Sequence, residues 1–217
     1  MMLDSESSKD KSTEATKEMS LSNSKSIIQF KIVYWGPGES GKTTNFMRLR
    51  EKFSSIRLTR GYSVETTDGR TLWQDSLFFS FKFSIKESEY SVITQVVTCT
   101  GQERFLSTRE YVLDGADGIV FVGDSDPEKR EQNKRSFREL ISFASPNRIP
   151  YVVQLNKRDL KSAIPIKEFK KLLGLPLEEK YQDGSLVVYP AIALQNKNVG
   201  TCFQDIMLQV IYNYFSS

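Results

Sequence analysis

The stretch Gly36-Pro37-Gly38-Glu39-Ser40-Gly41-Lys42-Thr43 constrains this chain more than any other feature, because it fixes a local shape and the elements on either side of it. It is a complete GxxxxGK[ST] match. Before it, residues 27–35 are rich in Ile, Val, Phe and other aromatics and read as a buried strand. After it, Phe46, Leu49 and Phe53 recur at helical spacing among Arg48, Arg50, Glu51 and Lys52, which predicts an amphipathic helix. A glycine loop in that setting turns successive N–H groups inward at the positive end of the helix, a nest for phosphate oxygens. Lys42 is placed to neutralise the outer phosphates of a polyphosphate, and the Thr43 hydroxyl to bind Mg2+.

The rest of the chain supplies partners for that unit. Residues 77–85 alternate, with Phe79, Phe81, Phe83 and Ile85 on one face and Ser80, Lys82 and Ser84 on the other. A second strand runs through Val97, so the pair predicts a hairpin. Residues 119–122 and 151–155 are short β-branched runs separated by a charged segment with Phe137, Leu140, Ile141 and Ala144 at helical spacing, the pattern of a parallel crossover. Residues 186–189 are expected to form one more strand. Phe203, Ile206, Met207, Val210, Ile211 and Tyr214 mark the apolar stripe of a final helix. Such alternation predicts an α/β fold with a mostly parallel sheet and helices on both faces, its ligand at the C-terminal strand ends. Residues 1–26 are Ser-, Lys- and Glu-rich without an aromatic and are expected to be a disordered tail before a single domain at 27–217.

Composition excludes several chemistries. Among 217 residues there is no histidine, which removes Ser-His and Cys-His nucleophiles and His-ligated zinc. A formal charge of +3 is too small a surplus to demand nucleic acid or an acidic membrane. Cys99 and Cys202 match no CxxC spacing and read as buried thiols of a reducing compartment. The longest apolar runs fall far short of the roughly 20 residues of a membrane span, and no signal peptide, myristoyl or prenyl motif is expected. A cytoplasmic protein without a direct membrane anchor is therefore anticipated.

Two further segments carry chemistry. Asn156-Lys157-Arg158-Asp159 follows the 151–155 strand. A carboxylate at Asp159 accepts two hydrogen bonds from guanine, whose edge offers two donors where adenine's does not, and so would select GTP over ATP. Asn156 can tie this loop to the phosphate loop, and the Lys157 stem can lie over the base. Thr98-Cys99-Thr100-Gly101-Gln102-Glu103-Arg104-Phe105 follows the second hairpin strand, where Gly101 can present a backbone N–H to the γ-phosphate and Gln102 can orient water. Gly38 leaves room there for water and an arginine.

With these motifs the chain resembles a small Ras-like GTPase across nearly all of residues 27–215. It is most similar to the MglA-type GTPases of bacteria and archaea, on GPGESGKTTN in the phosphate loop, NKRDL in the base loop and GRTLWQD in the first switch candidate. The resemblance implies a P-loop NTPase fold, the Ras-like G domain, with one antiparallel hairpin strand. Pro37, Gly38, Glu39, Ser40, Gly41, Lys42, Thr43 and Thr44 would line the nucleotide, the Glu39 side chain facing solvent. Asn156, Lys157, Asp159 and the backbone of Ala193 and Leu194 would hold the base. Thr66, Thr67 and Thr71 compete as the switch threonine. The MglA-like match favours Thr71 as a Mg2+ ligand beside Thr43, with Arg70 as an internal arginine finger and Arg104 as the other candidate. Where the usual Ras-like motif has Asp, this chain has Thr98, a variant that the MglA type tolerates; Asp75 would compensate if the switch folds inward. The implied function is a switch that binds Mg-GTP or GDP and hydrolyses GTP, slowly without an activator. The alternative is a GTP-binding scaffold with negligible hydrolysis. Roadblock-type activators and effector proteins are the implied partners, the Leu72-Trp73 pair being a candidate contact patch, and no nucleic acid is implied.

Overall fold

The computed structural model describes residues 26–58, 76–85, 88–98 and 112–216. Their strands form one sheet in the order β2-β3-β1-β4-β5-β6. β1 (Ser26–Trp35) lies between β3 (Ser88–Thr98) and β4 (Gly118–Asp124), parallel to both. β2 (Ser76–Ile85) pairs antiparallel with β3 as the expected hairpin. β5 (Tyr151–Asn156) and the two-residue β6 (Tyr189–Pro190) extend the parallel part.

Alternation along the central strands sorts side chains into two cores. Ile32, Tyr34, Val120, Val122 and Val152 face one side, under α1 (Lys42–Lys52) and α4 (Val199–Ser216), where Phe46, Leu49, Phe203, Ile206 and Val210 meet them. Val33, Trp35, Ile119, Phe121, Val153 and Leu155 face the other, under α2 (Arg130–Ala144) and α3 (Ile166–Leu173), against Phe137, Leu140 and Phe169. Every residue of β4 is buried, as a parallel strand covered on both faces must be. The Trp35 indole N–H donates to Ser136 O at 2.9 Å, so this core tryptophan buries its polar atom paired. Burial pushes the Tyr34 hydroxyl and the Cys202 thiol up from their ordinary values, which keeps both neutral in the first core. Cys99 and residues 1–25 of the expected 1–26 tail lie outside the described residues, and Ser26 begins β1.

One expected strand is displaced. Residues 186–189 do not run along β5; pairing begins at Tyr189, opposite Gln154. The preceding backbone groups are spent on a local turn instead. Leu186 bridges Lys180, Tyr181 N–H donates to Ser185 O at 2.9 Å, and Val187 N–H donates to Glu179 O at 3.1 Å. Gly184 sits at φ +86, and the Asp183 carboxylate takes the Ser185 N–H and hydroxyl. Val187 and Val188 remain buried in the second core without ladder partners.

α3 was not anticipated in the sequence. Its punctuation is present there: Pro165 stands before the first turn and Gly174, at φ +71, ends the last. Phe169 is its fully buried anchor, and the Arg130 guanidinium of α2 pairs with Glu168 of α3. A Cβ on Gly123 of β4 would lie 2.5 Å from the Phe169 ring, so strand and helix are in close contact at that glycine. Truncating Phe169 to alanine therefore opens a cavity that β4 cannot fill. The expected loss is about 3–5 kcal/mol in urea unfolding, seen as a lowered midpoint with an unchanged slope.

Candidate functional site

The loop joining β1 to α1 has a shape that its glycines permit. Gly36 sits at φ +151, and a Cβ there would lie 2.3 Å from Val122 O of β4. Gly41 sits at φ +95, and a Cβ there would lie 2.3 Å from Asn156 Nδ2. Neither position accommodates a side chain without displacing a neighbour. Glu39 between them also adopts a left-handed φ, +65, with its exposed carboxylate 3.1 Å from Lys129 Nζ. The Lys42 ammonium arches back over this loop and donates to Gly36 O at 3.1 Å and Pro37 O at 2.6 Å. Thr43 and Thr44 are half-buried in the first turn of α1, which has no side-chain cap. Ser40 Oγ is fully buried without a hydrogen-bond partner among the described residues. An uncapped helix start beside an orphaned buried hydroxyl is the environment that an anion's oxygens satisfy.

A cleft of about 200 Å³ opens alongside, lined by Glu39, Gly41, Thr44, Asn156, Lys157, Asp159, Leu160, Ile192, Ala193 and Leu194. Asn156 ends β5 and binds in two directions: its Nδ2 donates to Ser40 O at 2.9 Å, and its Oδ1 accepts the Ala193 N–H at 2.9 Å. The phosphate loop, the Asn156–Asp159 loop and the 192–194 turn are thereby held as one rim. Arg48 of α1 adds a tether, donating to Leu194 O at 2.9 Å. Asp159 is exposed on the cleft wall, while Leu160, Ile192 and Leu194 supply apolar surface. An apolar-sided slot with the Asp159 carboxylate on its wall suits a flat heterocycle bearing N–H donors.

The described site residues expected from the sequence thus come together, with one detail not foreseen. The Ala193 N–H that the resemblance assigned to the base is engaged by Asn156 Oδ1. Arg70, Thr71, Gly101 and Gln102 lie outside the described residues, as do Thr66, Thr67, Leu72, Trp73, Asp75 and Arg104. Thr98, buried at the end of β3, pairs across the sheet with Tyr34 of β1 and so stands beside the strand that feeds the phosphate loop. The Thr43 and Thr98 hydroxyls are hard oxygen donors of the type that magnesium takes.

Several supporting residues escaped the sequence reading. Gln154 Nε2 donates to Asn45 Oδ1 at 3.0 Å, and Asn45 Nδ2 donates to Gly41 O at 2.9 Å, a chain linking β5 to the phosphate loop through α1. Asp124 is fully buried with its Oδ2 2.7 Å from Lys157 Nζ. Ser125 donates its N–H, at 3.1 Å, and its hydroxyl to Asn156 O. Arg158 Nη1 donates to Ile164 O at 2.6 Å and to Ser125 Oγ at 3.2 Å, and partial burial lowers this guanidinium's pKa from its ordinary value. The available signal was a polar Asp-Ser closing the apolar run of β4.

Similarity to known proteins extends over most of the chain. Residues 28–215 match the family model described as the elongation factor Tu GTP binding domain. The chain is similar to the mutual gliding-motility protein MglA of Myxococcus xanthus (strain DK1622), 37% identical over 161 residues that cover 71% of this chain and 80% of the relative. It is also similar to human ADP-ribosylation factor-like protein 4A, 29% identical over 71% of each chain. Human ADP-ribosylation factor-like protein 4C is 27% identical, over 71% of this chain and 73% of its own.

Replacing Asn156 with alanine strands Ser40 O and the Ala193 N–H in a buried setting. The protein is expected to lose about 1–3 kcal/mol for each group left unpaired, measured by urea unfolding with no ligand added.

Proposed function

The chain belongs to the small Ras-like GTPases of the MglA type, and we propose how its residues divide the work of a molecular switch that binds GTP and GDP and hydrolyses GTP. One observation carries the assignment of residues: the Asn156 side chain joins the phosphate loop to the wall that bears Asp159, so both line one continuous cleft. Membership of a GTPase family favours hydrolysis over the scaffold alternative.

In this reading the guanine lies in the apolar slot, its two edge donors on the Asp159 carboxylate and its face against the Lys157 stem. The backbone of Ala193 and Leu194 closes the far edge, the Ala193 N–H being shared with Asn156. The polyphosphate occupies the loop from Pro37 to Thr44, where backbone N–H groups and the Ser40 hydroxyl meet its oxygens. Lys42 exchanges its bonds to Gly36 O and Pro37 O for the outer phosphates, a short swing that leaves its backbone in place. Proteins of this family generally use Mg2+, which when bound spreads the charge of the outer phosphates. Thr43 and Thr71 are its proposed ligands, with Thr98 beside them in place of the usual Asp.

For hydrolysis, Gln102 orients the attacking water in line with the γ-phosphate, the Gly101 N–H fixes a γ-oxygen and Arg70 offsets the charge that develops there. Loss of that phosphate releases the segments around Thr71 and Gln102, which changes the surface offered to partners. Roadblock-type activators and effector proteins are the proposed readers of that surface, with Leu72 and Trp73 at its edge. Among the described residues no helix is long and apolar enough to cross a membrane, and the proposed compartment is the cytoplasm.

Two substitutions test these roles. Asp159→Asn is expected to weaken GDP about 100-fold and to admit xanthosine diphosphate, because an amide N–H then meets the carbonyl that xanthine carries at that edge. Unchanged base preference in competition binding would remove Asp159 from the base wall. Arg70→Ala is expected to lower single-turnover GTP cleavage about 10³-fold while GTP affinity is retained. An unaffected rate would exclude it as the finger.

A further inference from the structure

We propose that Asp124, outside the cleft and fully buried, is the positioning residue that sets Lys157 against the base and thereby governs how fast guanine nucleotide leaves. This rests on the proposed placement of the base over the Lys157 stem.

Asp124 is the last residue of β4 and lies directly beside Asn156 in the sheet. Its backbone is pinned from both sides by one side chain of α2: the Asp124 N–H donates to Asn133 Oδ1 and Asn133 Nδ2 donates to Asp124 O, each at 2.9 Å. Its carboxylate has one oxygen committed, Oδ1, which accepts the Asp126 N–H at 3.0 Å. The other, Oδ2, has the Lys157 ammonium at 2.7 Å as an ion pair and no directed hydrogen bond from any described residue. A carboxylate with no solvent exposure needs that counter-charge, since an unpaired buried anion is strongly disfavoured. Lys157 in turn needs an anchor. It sits at φ +61, a left-handed conformation that a long side chain adopts only when its surroundings hold it there. The neighbouring cations are committed elsewhere: Arg158 to Ser125 and Ile164, Lys129 to Glu39. The pair therefore stretches the Lys157 chain from the base loop down to the rigid end of β4, with its stem along the cleft wall.

An anchor of this kind acts on the face of the base, so it differs in signature from Asp159, which reads the edge. Asp124→Asn keeps the size and the Oδ1 acceptor but removes the charge. It is expected to speed release of ribose-labelled GDP about tenfold, and to speed inosine diphosphate release by the same factor, leaving the GDP to inosine diphosphate ratio unchanged. Lys157→Met, which retains an apolar stem, is expected to reproduce the faster release. Adding Asp124→Asn to Lys157→Met is expected to change release less than twofold further and to raise the melting temperature above that of Lys157→Met alone, because the stranded buried charge is gone. Release at the wild-type rate in Asp124→Asn would overturn the inference, as would an equal acceleration in both backgrounds, the mark of a general structural defect. If Asp124→Asn fails to fold, the comparison of Lys157→Met with the double variant decides: faster release without thermal rescue overturns it. Wild-type protein that does not retain labelled GDP would sink the nucleotide-site reading itself, an outcome separate from all of these.

Discussion

The two hydrogen bonds of the Asn156 amide are the constraint on which the site depends. Strands β1, β5 and β6 each end in a loop, and without a tie those loops would be independent. Asn156 sits at the end of β5 with one face toward the loop after β1 and the other toward the turn after β6. Its reach is set by the sheet, because β4 and β5 run in register up to the Asp124 and Asn156 pair. A slip of one residue would turn the amide to the opposite face. The two cores that grip the sheet from both sides are thus what holds this bridge in place. Ligands gather at the C-terminal edge of parallel strands for this reason.

The same edge concentrates polar groups whose needs are incompletely met among the described residues. Ser40 Oγ and Gln154 Oε1 are buried without partners among the described residues, and Lys42 satisfies itself on carbonyls of its own loop. The Ser40 hydroxyl and the Lys42 ammonium are donors, so a ligand that brings oxygens to this loop offsets the cost of burying them. Linkage gives the scale: a ligand at a hundred times its Kd stabilises the folded state by about 2.7 kcal/mol. The phosphate loop is accordingly a place where folding and binding are coupled. Tyr34 shows the contrast, since its hydroxyl, also without a partner among the described residues, lies in the apolar core between β1 and α4, away from the cleft.

Much of this arrangement was legible in the sequence, for reasons that can be stated. Strands β4 and β5, and β1 from Ile32 on, are mostly apolar because both faces are buried, and α1 and α4 carry stripes at helical spacing because one face is. The phosphate loop was legible because positive φ at Gly36 and Gly41 leaves little choice of residue. Tyr189–Pro190 was harder: Leu186, Val187 and Val188 look like a strand because Val187 and Val188 are buried and Leu186 partly so, yet Leu186 and Val187 pair with Lys180 and Glu179 across a local turn at Asp183 and Gly184. Hydrophobicity reports burial, not ladder pairing. α3 was missed because eight residues give barely two turns of periodicity, and its caps were the better signal. In the site, Asn156 and Asp159, which both line the cleft, could be singled out because the chemistry proposed for them is local to a short motif. Asp124 was not, because its partner Lys157 is distant in sequence and only the parallel pairing of β4 with β5 brings the two together.

Calorimetric titration of the full chain with GDP and, separately, ADP tests most directly whether the three loops form one guanine-nucleotide cleft. Saturable heat with one GDP per chain, and no saturation by ADP over the same concentrations, is the expected result. Equal binding of both nucleotides, or no heat from GDP at millimolar concentration, would contradict it.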